Sequence, residues 1–263
     1  MSEAAQTPLL VDKQATHWVL TLNRPDKRNA LSGDLIEALL SAVQQAKAQQ
    51  VPLLVLQGAG ANFSAGFDFT GYEDQSEGDL LLRFVRIETL LQDIAYGPFA
   101  TLALAHGNNF GAGVDLFAAC RHRYCAPQSK FRMPGLKFGL ALGTRRLAAL
   151  VGESHAYSLL ETTATFNDER AQQIGFIQGS VPPADWPALV DKVAASTLSL
   201  PPESRQYLRD LTRSGNRDGD MAALVASASA PGLKERIRVY REESAVQAAA
   251  AKSAASAQSM KGG

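Results

Sequence analysis

The chain has 263 residues, of which 46% are hydrophobic and 20% are charged, and its 26 basic side chains are balanced by 26 acidic ones. This size and apolar content are typical of a folded globular protein and exclude a largely disordered chain. The balanced, dispersed charge disfavours nucleic-acid binding, while the short apolar runs and the lack of a leader pattern predict a cytoplasmic protein outside the membrane.

The hydrophobic pattern predicts that strands and helices alternate through most of the chain. We predict strands near residues 9–11, 17–22, 53–56, 99–105, 122–126 and 176–181. Apolar residues recur every three or four positions over 35–46 and 80–94, which is typical of helices that face a core, and Ser32 is available to cap the first helix. After residue 201 only helical patterns remain. The pattern therefore favours an α/β protein of the β-β-α type with a helical C-terminal segment.

Two glycine-rich turns follow predicted strands. Residues 58–68 read Gly-Ala-Gly-Ala-Asn-Phe-Ser-Ala-Gly-Phe-Asp, and residues 105–116 read Ala-His-Gly-Asn-Asn-Phe-Gly-Ala-Gly-Val-Asp-Leu. The free N–H groups at the start of a helix can hold developing negative charge. Either turn alone would more often be a tight turn within an α/β core, but the pair predicts two backbone donors for one oxygen atom.

Three segments in order, residues 22–31, 63–68 and 105–116, resemble successive signatures of the crotonase, or enoyl-CoA hydratase/isomerase, family. The resemblance implies a ClpP/crotonase-like spiral of β-β-α repeats over residues 1–200. A helical segment over 201–263, with an Ala/Ser-rich tail that frays, would close the fold. The resemblance also implies a homotrimer or a dimer of trimers.

The resemblance further implies an acyl-CoA thioester as substrate, with coenzyme A as part of that substrate and no metal or prosthetic group. The backbone amides of Phe67 and Ala112 would donate to the thioester oxygen, and Asp115 matches the first catalytic carboxylate of the family. The alternative for Asp115 is an acidic residue in a first helical turn, which the helix dipole favours. We expect the catalytic role.

Coenzyme A contacts are implied by the same resemblance. Lys27 and Arg28 suit the charge of a 3′-phosphate, although such a pair in a surface turn is otherwise usually solvated. The other implied contacts are Ala30, Ala65, Gly66, Asp68, Phe69 and Thr70. No Walker loop or dinucleotide fingerprint follows the first strand, and the histidines lack partners at the spacing of a metal site, so we expect neither nucleotide cofactors nor metals.

The second carboxylate of the hydratases is missing, because relatives commonly have glutamate where this chain has Gly135. The sequence around the site most resembles the dienoyl-CoA isomerase branch of the family. The loop 139–147, however, is about three residues shorter than the family pattern and contains no acidic residue. One carboxylate can remove and return a proton, whereas water addition needs two groups. We therefore expect an isomerase or lyase using enolate chemistry. The alternative is a catalytically impaired protein that binds acyl-CoA or serves as an oligomeric partner.

Other polar side chains are candidates for the missing proton shuttle, namely Tyr72, Glu73, Arg83, Glu88 and Glu161. The spacing of Arg83, Arg86 and Glu88 is typical of a solvated helical face or a packing pair. Glu161 has two interpretations, a side chain in the acyl pocket or an exposed one. We assign none of these residues a firm role.

The remaining chemically reactive side chains have structural interpretations. His106, at the end of a buried strand, is predicted to be hydrogen-bonded rather than to act as a base. Cys120 and Cys125 lack the spacing of a zinc site or a disulfide framework and are predicted to be buried thiols.

Overall fold

A computed structural model describes the backbone of residues 7–213 and 215–261 and the side chains of 7–213, 215–250 and 253. The described residues form nine strands that build two sheets. The strands are β1 (Leu9–Lys13), β2 (Trp18–Leu22), β3 (Leu53–Gly58), β4 (Ala100–Ala105), β5 (Asn108–Phe110), β6 (His122–Cys125), β7 (Lys130–Arg132), β8 (Phe166–Asn167) and β9 (Gly179–Ser180).

The larger sheet has the strand order β1-β2-β3-β4-β6-β9, with β1 and β2 antiparallel and the other neighbours parallel. In its register, Leu54 on β3 pairs with Trp18 on one side and Thr101 on the other. The smaller sheet has the order β5-β7-β8, in which β5 and β7 are parallel. Because the carboxyl ends of parallel strands share one edge, the loops after β3 and β4 emerge side by side.

Ten helices surround these sheets within the described ranges. They are α1 (Gly33–Ala48), α2 (Glu77–Ala95), α3 (Ala112–Ala118), α4 (Thr144–Val151), α5 (Glu153–Thr162), α6 (Asp168–Gln173), α7 (Trp186–Leu198), α8 (Pro202–Thr212), α9 (Arg217–Ala228) and α10 (Leu233–Lys261). The predicted helices 35–46 and 80–94 are confirmed as α1 and α2. Ser32 caps α1 as predicted, because its hydroxyl accepts a hydrogen bond from Leu35 N at 3.3 Å.

The core lies on both faces of the larger sheet. One apolar cluster joins the sheet to α1, α2 and α3, and it includes four phenylalanines whose contacting rings have centroids 5.3–5.5 Å apart, Phe117, Phe131, Phe166 and Phe176. A smaller cluster packs Leu53, Val55 and Leu102 against Val190 of α7. Helices cover both faces, so β3 has no solvated side and reads as an unbroken apolar run.

The six predicted strands correspond to β1, β2, β3, β4, β6 and β9, with β9 much shorter than expected. The C-terminal segment is helical, and Leu224 of α9 and Ile237 of α10 are fully buried in the main core. Side chains over 245–250 are exposed, and α10 continues to Lys261, so fraying of residues 262–263 lies outside the described residues. No described helix is long and apolar enough to cross a membrane.

Candidate active site

The first predicted donor, Phe67, lies in the loop after β3 and forms a parallel bridge with Leu31. Leu31 N donates to Gly66 O at 2.7 Å, and Asp68 N donates to Leu31 O at 3.3 Å. Successive N–H groups of an extended segment point to opposite sides, so the Phe67 N–H faces away from Leu31. No acceptor for it is present among the described residues. The bridge therefore leaves this amide available to a ligand.

Asn29 fixes the path of the loop after β3 through hydrogen bonds. Its side-chain amide donates to Ala59 O and Asn62 O, both at 2.8 Å, and its backbone carbonyl accepts a hydrogen bond from the Ser64 hydroxyl at 2.8 Å. Asn29 is fully buried and has a left-handed backbone conformation, with φ of 54°. The position of the Phe67 amide thus depends on a rigid polar network rather than on a mobile loop.

The second predicted donor, Ala112, is the first residue of α3, so its N–H has no intrahelical acceptor. The start of α3 is anchored by the smaller sheet, because Gly111 N donates to Arg132 O of β7 at 2.8 Å. Gly66 has φ of +84°, and a Cβ there would overlap Phe110 O and lie 3.2 Å from Ala112 N. The two donor loops are therefore in contact, and only glycine permits this approach.

Both loops open onto one cavity of about 630 Å³. Its lining includes nearly all of the residues that the sequence predicted for the site, namely Lys27, Arg28, Ala30, Ala65, Phe67, Asp68, Phe69, Thr70, Ala112 and Asp115. Gly66 is the exception, because it faces the neighbouring loop. Apolar side chains of Met133, Leu140, Leu142 and Leu160 form another part of the wall. The cavity wall thus combines charged and apolar side chains.

Asp115 lies in the first turn of α3 and is only 3% exposed. Its Oδ1 has no hydrogen-bond partner within the part of the chain that the structure describes. Burial raises the pKa of this carboxyl well above 3.8, the Arg146 charge opposes the rise, and the Glu88 charge adds to it. A side chain at Gly143, which has φ of +65°, would overlap Asp115 Oδ1. The carboxyl is therefore enclosed, unpaired and poorly solvated.

Glu88 occupies a buried position on α2, so its interpretation as part of a solvated face is wrong. It is 1% exposed, and Oε1 accepts hydrogen bonds from Arg146 Nη2 at 3.2 Å and from Gln92 Nε2 at 3.0 Å. The reason is that α9 packs over this part of α2, where Gln92 donates to Arg217 O. Burial raises the pKa of Glu88, and the Arg146 charge opposes that rise.

The two arginines that we grouped with Glu88 point elsewhere. Arg86 pairs with Glu37 on α1 at an exposed position. Arg83 stacks its guanidinium 4.1 Å from the centroid of the Phe67 ring and donates to Asp68 O at 2.6 Å. Arg83 thus contacts the side chain of the first donor residue, Phe67, and the backbone of the residue that follows it. Sequence reasoning missed this role, because helical spacing does not show which loop a side chain contacts.

Three further candidates lie outside the reacting part of the cavity. Glu161 is exposed on α5, which agrees with one of its two interpretations. Tyr72 is buried beneath α10, and Glu73 is exposed and forms a 3.0 Å ion pair with Arg241. His106 Nε2 lies 2.8 Å from Gly60 O, consistent with the predicted hydrogen-bonded role. Both cysteines are buried as predicted.

Asp68 is held by its own neighbours, although it lines the cavity. Its carboxylate forms a 2.7 Å ion pair with Arg24 and accepts a hydrogen bond from Thr70 N at 3.0 Å. Burial alone would raise the pKa of Asp68, but Thr70 and Arg24 outweigh it and the pKa is lowered. The carboxylate therefore stays ionised and fixes the donor loop.

Lys27 and Arg28 are exposed at the cavity, and neither takes part in a salt bridge among the described residues. Gly135 also lines the cavity, without a side chain. The position at which the resemblance implies a second carboxylate therefore supplies no acid.

The last helix, α10, covers the cavity of its own chain. Tyr240, Arg241, Ser244 and Ala248 all line it, and the Tyr240 ring lies 5.1 Å from that of Phe138. Three of these residues are four positions apart and so share one helical face. That spacing is visible in the sequence, but the surface that the face meets is not. These lining residues were therefore not predicted.

Known proteins share the sequence pattern and the fold of this chain. Residues 12–231 match the family model described as enoyl-CoA hydratase/isomerase. A solved enoyl-CoA hydratase/isomerase family structure from Bordetella parapertussis is 56% identical, with a TM-score of 0.88 over 89% of this chain and 98% of that chain. The probable enoyl-CoA hydratase echA6 of Mycobacterium leprae (strain TN) is 32% identical over 77% of this chain and 80% of its own length. The 4-chlorobenzoyl coenzyme A dehalogenase-1 of Arthrobacter sp is 24% identical over 89% of this chain and 91% of its own length.

Proposed function

The chain belongs to the enoyl-CoA hydratase/isomerase family, which acts on coenzyme A thioesters, and from this premise we propose that it moves a proton within an acyl-CoA rather than adding water. The preferred reaction is double-bond isomerisation, and other enolate chemistry is compatible with the same residues. One observation carries this proposal. Of the three acidic residues that line the cavity, Asp26, Asp68 and Asp115, only Asp115 is both buried and without an ion-pair partner among the described residues.

The oxyanion hole in this proposal consists of the Phe67 and Ala112 amides. Removal of a proton next to a thioester carbonyl places negative charge on the carbonyl oxygen. Preorganised N–H donors stabilise that charge, and loss of one such donor typically lowers kcat by about 10²–10³-fold. Both amides lack acceptors among the described residues and belong to loops that are fixed by hydrogen bonds. They therefore need no reorganisation when the charge develops.

Asp115 is the acid/base in this proposal. In its ionised form it takes the proton from C2 of a 3-enoyl thioester, and the electron pair of the C–H bond moves into the conjugated enolate. The neutral carboxyl then returns the proton to C4, and the double bond is left between C2 and C3. The raised pKa makes the carboxylate a stronger base than a solvated aspartate. One group thus completes the cycle without net consumption of protons.

Substrate orientation in this proposal follows from the charged and apolar side chains of the cavity wall. Lys27 and Arg28 would pair with the phosphates of coenzyme A, while Leu140, Leu142 and Leu160 would contact the acyl chain. The contacts expected along the pantetheine arm and nucleotide are Ala30, Ala65, Asp68, Phe69 and Thr70. A homotrimer or dimer of trimers remains our expectation for the assembly.

A second candidate is a relative that binds acyl-CoA without turnover. Gly135 and the short loop 139–147 favour it, because they remove the positions at which further acids are expected. The two candidates differ in one measurable property, since only the enzyme exchanges substrate protons in a reaction that depends on Asp115.

The decisive experiment incubates the full chain in D₂O with 2-enoyl, 3-enoyl, 2,5-dienoyl and malonyl-type CoA thioesters and follows products by mass spectrometry. We expect deuterium uptake and double-bond migration, and a loss of about 10²–10⁴-fold in Asp115→Asn. A hydrated product as the main species would contradict the proposal. Binding without exchange of any thioester would favour the second candidate.

The oxyanion hole is tested by Gly66→Ala against Gly71→Ala. Both glycines have positive φ, +84° and +69°, but only at Gly66 would a Cβ meet the second donor loop, since nothing lies within 4 Å of the Cβ position at Gly71. We expect Gly66→Ala to lower kcat by about 10²-fold or more and Gly71→Ala to leave kcat within a few-fold. Equal kcat values for the two variants would contradict the assignment.

A further inference from the structure

A second cavity, separate from the candidate active site, lies among the ends of α2, α3 and α7 and one face of α8. It has a volume of about 420 Å³. Its wall contains seven arginines and one acidic side chain, and the arginines are Arg121, Arg123, Arg145, Arg146, Arg205, Arg209 and Arg213. The single acid is Asp220. We call this space the arginine cavity.

The positive charge on the α8 side is only partly neutralised. Arg205 and Arg209 are four positions apart on α8 and share one face of that helix, and Arg213 directly follows the helix with an extended backbone. None of the three forms a salt bridge among the described residues. Burial lowers the pKa of Arg209, the Asp210 charge opposes this, and the charges of Arg205 and Arg213 add to it. Three like charges thus lie near one another, and Asp210 offsets them only in part.

The single acid cannot balance the remaining arginines, because it is already shared. Asp220 Oδ1 lies 3.3 Å from Arg145 Nη1, and Asp220 Oδ2 lies 3.9 Å from Arg146 Nη2. Arg123 differs from the others, since its guanidinium donates to the backbone carbonyls of Phe176 and Cys120 and is part of the core. The arginines that remain available to a ligand are therefore Arg205, Arg209 and Arg213 and the exposed Arg121.

Arg146 supplies an independent indication of a ligand. Its side chain is 9% exposed, and its Nη1 has no hydrogen-bond partner among the described residues, although Nη2 contacts Glu88. A buried guanidinium donor without a partner is costly, so such groups normally meet an acceptor from water or a ligand. An anion in the arginine cavity would provide that acceptor.

The rest of the wall is apolar or aromatic and includes Phe99, Leu150, Leu200 and Leu208. Tyr96 lies at one side, with Arg213 stacked 4.7 Å from its ring centroid. A cavity that combines clustered guanidinium groups with an apolar wall matches a ligand with an anionic head and a compact organic body. Guanidinium groups bind phosphate oxygens in bidentate geometry.

We propose that the arginine cavity is a binding site for a small organic phosphate, distinct from the coenzyme A site, with Arg146, Arg209 and Arg213 as its phosphate-binding residues. Arg146 also contacts Glu88, and the charges of both side chains act on Asp115. An anion bound to Arg146 is therefore expected to change the electrostatic environment of Asp115.

The test measures binding of inorganic pyrophosphate to the full chain by isothermal titration calorimetry at low ionic strength. We expect saturable binding, weakened by about tenfold or more in the double variant Arg209→Gln/Arg213→Gln, because two charge-assisted contacts are lost. The matched control is Arg170→Gln/Arg238→Gln, which removes the same net charge from exposed positions outside both cavities. It should change the affinity by less than about twofold.

Two further measurements separate the alternatives. Lys27→Gln should leave pyrophosphate binding unchanged; if it abolishes binding while the double variant does not, pyrophosphate occupies only the coenzyme A site and the proposal is wrong. Size-exclusion chromatography reports whether the α8 arginines instead pair with acids of a second copy. Absence of pyrophosphate binding, together with a changed oligomeric state in the double variant, would overturn the proposal.

Discussion

The first turn of α3 and the middle of α2 each contain a buried carboxylate, and the two carboxylates differ in their hydrogen-bond and ion-pair partners. Asp115 and Glu88 both have raised pKa values, chiefly because of burial. Glu88 Oε1 has Arg146 and Gln92 as partners, whereas Asp115 Oδ1 has none among the described residues. A paired buried charge fixes geometry, while an unpaired one costs folding free energy. This difference is the reason that we propose Asp115, and not Glu88, as the acid/base.

The largest effect should come from removal of the paired carboxylate. Glu88→Gln leaves buried Arg146 with only the more distant Asp220 as counter-ion, at 3.9 Å, so we expect the free energy of unfolding to fall by about 3 kcal/mol. Glu37→Gln is the control, because its ion pair with Arg86 is exposed and should contribute at most about 1 kcal/mol. Chemical denaturation of both variants checks this. Equal losses would mean that the α2 pair contributes no more than a surface pair.

Displacement of the unpaired carboxylate should be the next largest effect. Gly143→Ala places a methyl group where Asp115 Oδ1 lies. Gly152 also has positive φ, +82° against +65° at Gly143, but nothing lies within 4 Å of its Cβ position. A misplacement of about 1 Å can lower the rate about a hundredfold, so we expect that loss in kcat/KM for Gly143→Ala. Gly152→Ala should lose only stability. Similar kcat/KM values would show that the position of Asp115 is not critical.

Neutralisation of the unpaired carboxylate should have a smaller effect and the opposite sign from Glu88→Gln. The folded chain holds the Asp115 proton above pH 3.8, where the unfolded chain has released it. Stability of the wild type therefore falls as pH rises toward the folded pKa. We expect Asp115→Asn to raise the free energy of unfolding at pH 7 and to change it much less at pH 4, where the wild-type carboxyl is already neutral in the folded chain. Thermal unfolding at pH 4 and pH 7 checks it, and a gain that is larger at pH 4 would contradict the assignment.

The smallest expected effect is the influence of Glu88 on the pKa of Asp115. The Glu88 charge raises the pKa of Asp115, so Glu88→Gln should lower that pKa. If the ionised Asp115 is the base, the acidic limb of the kcat/KM profile moves to lower pH. The pH profiles of kcat/KM for the wild type and the variant, measured with the thioester that the chain isomerises, test this. A shift to higher pH would remove Asp115 from the role of base.

The sequence predicted the parts of the fold that have a long repeating pattern. Over α1 and α2, apolar residues recur through four or more turns, and β3 is an unbroken apolar run, so each is recognisable locally. The smaller sheet was missed, because β5, β7 and β8 have only two or three residues and no repeat to detect. That sheet nevertheless anchors the start of α3.

The candidate site was predictable where backbone conformation determines it. Glycines at close approaches identify the two donor loops, and the cavity brings Phe67, Ala112 and Asp115 to one surface. Glu88 was misjudged because its burial depends on Arg146, 58 residues away along the chain, and on the packing of α9. Such distant partners leave no local pattern.

The use of main-chain donors has a consequence for divergence within the family. The N–H groups of Phe67 and Ala112 belong to the peptide backbone, so a point mutation that changes either side chain does not delete the donor. Under the proposed function, carbonyl recognition is therefore inherited with the chain path, whereas an acid such as that missing at Gly135 is lost by a single codon change. A lineage built this way can exchange one reaction for another while it keeps the same class of substrate.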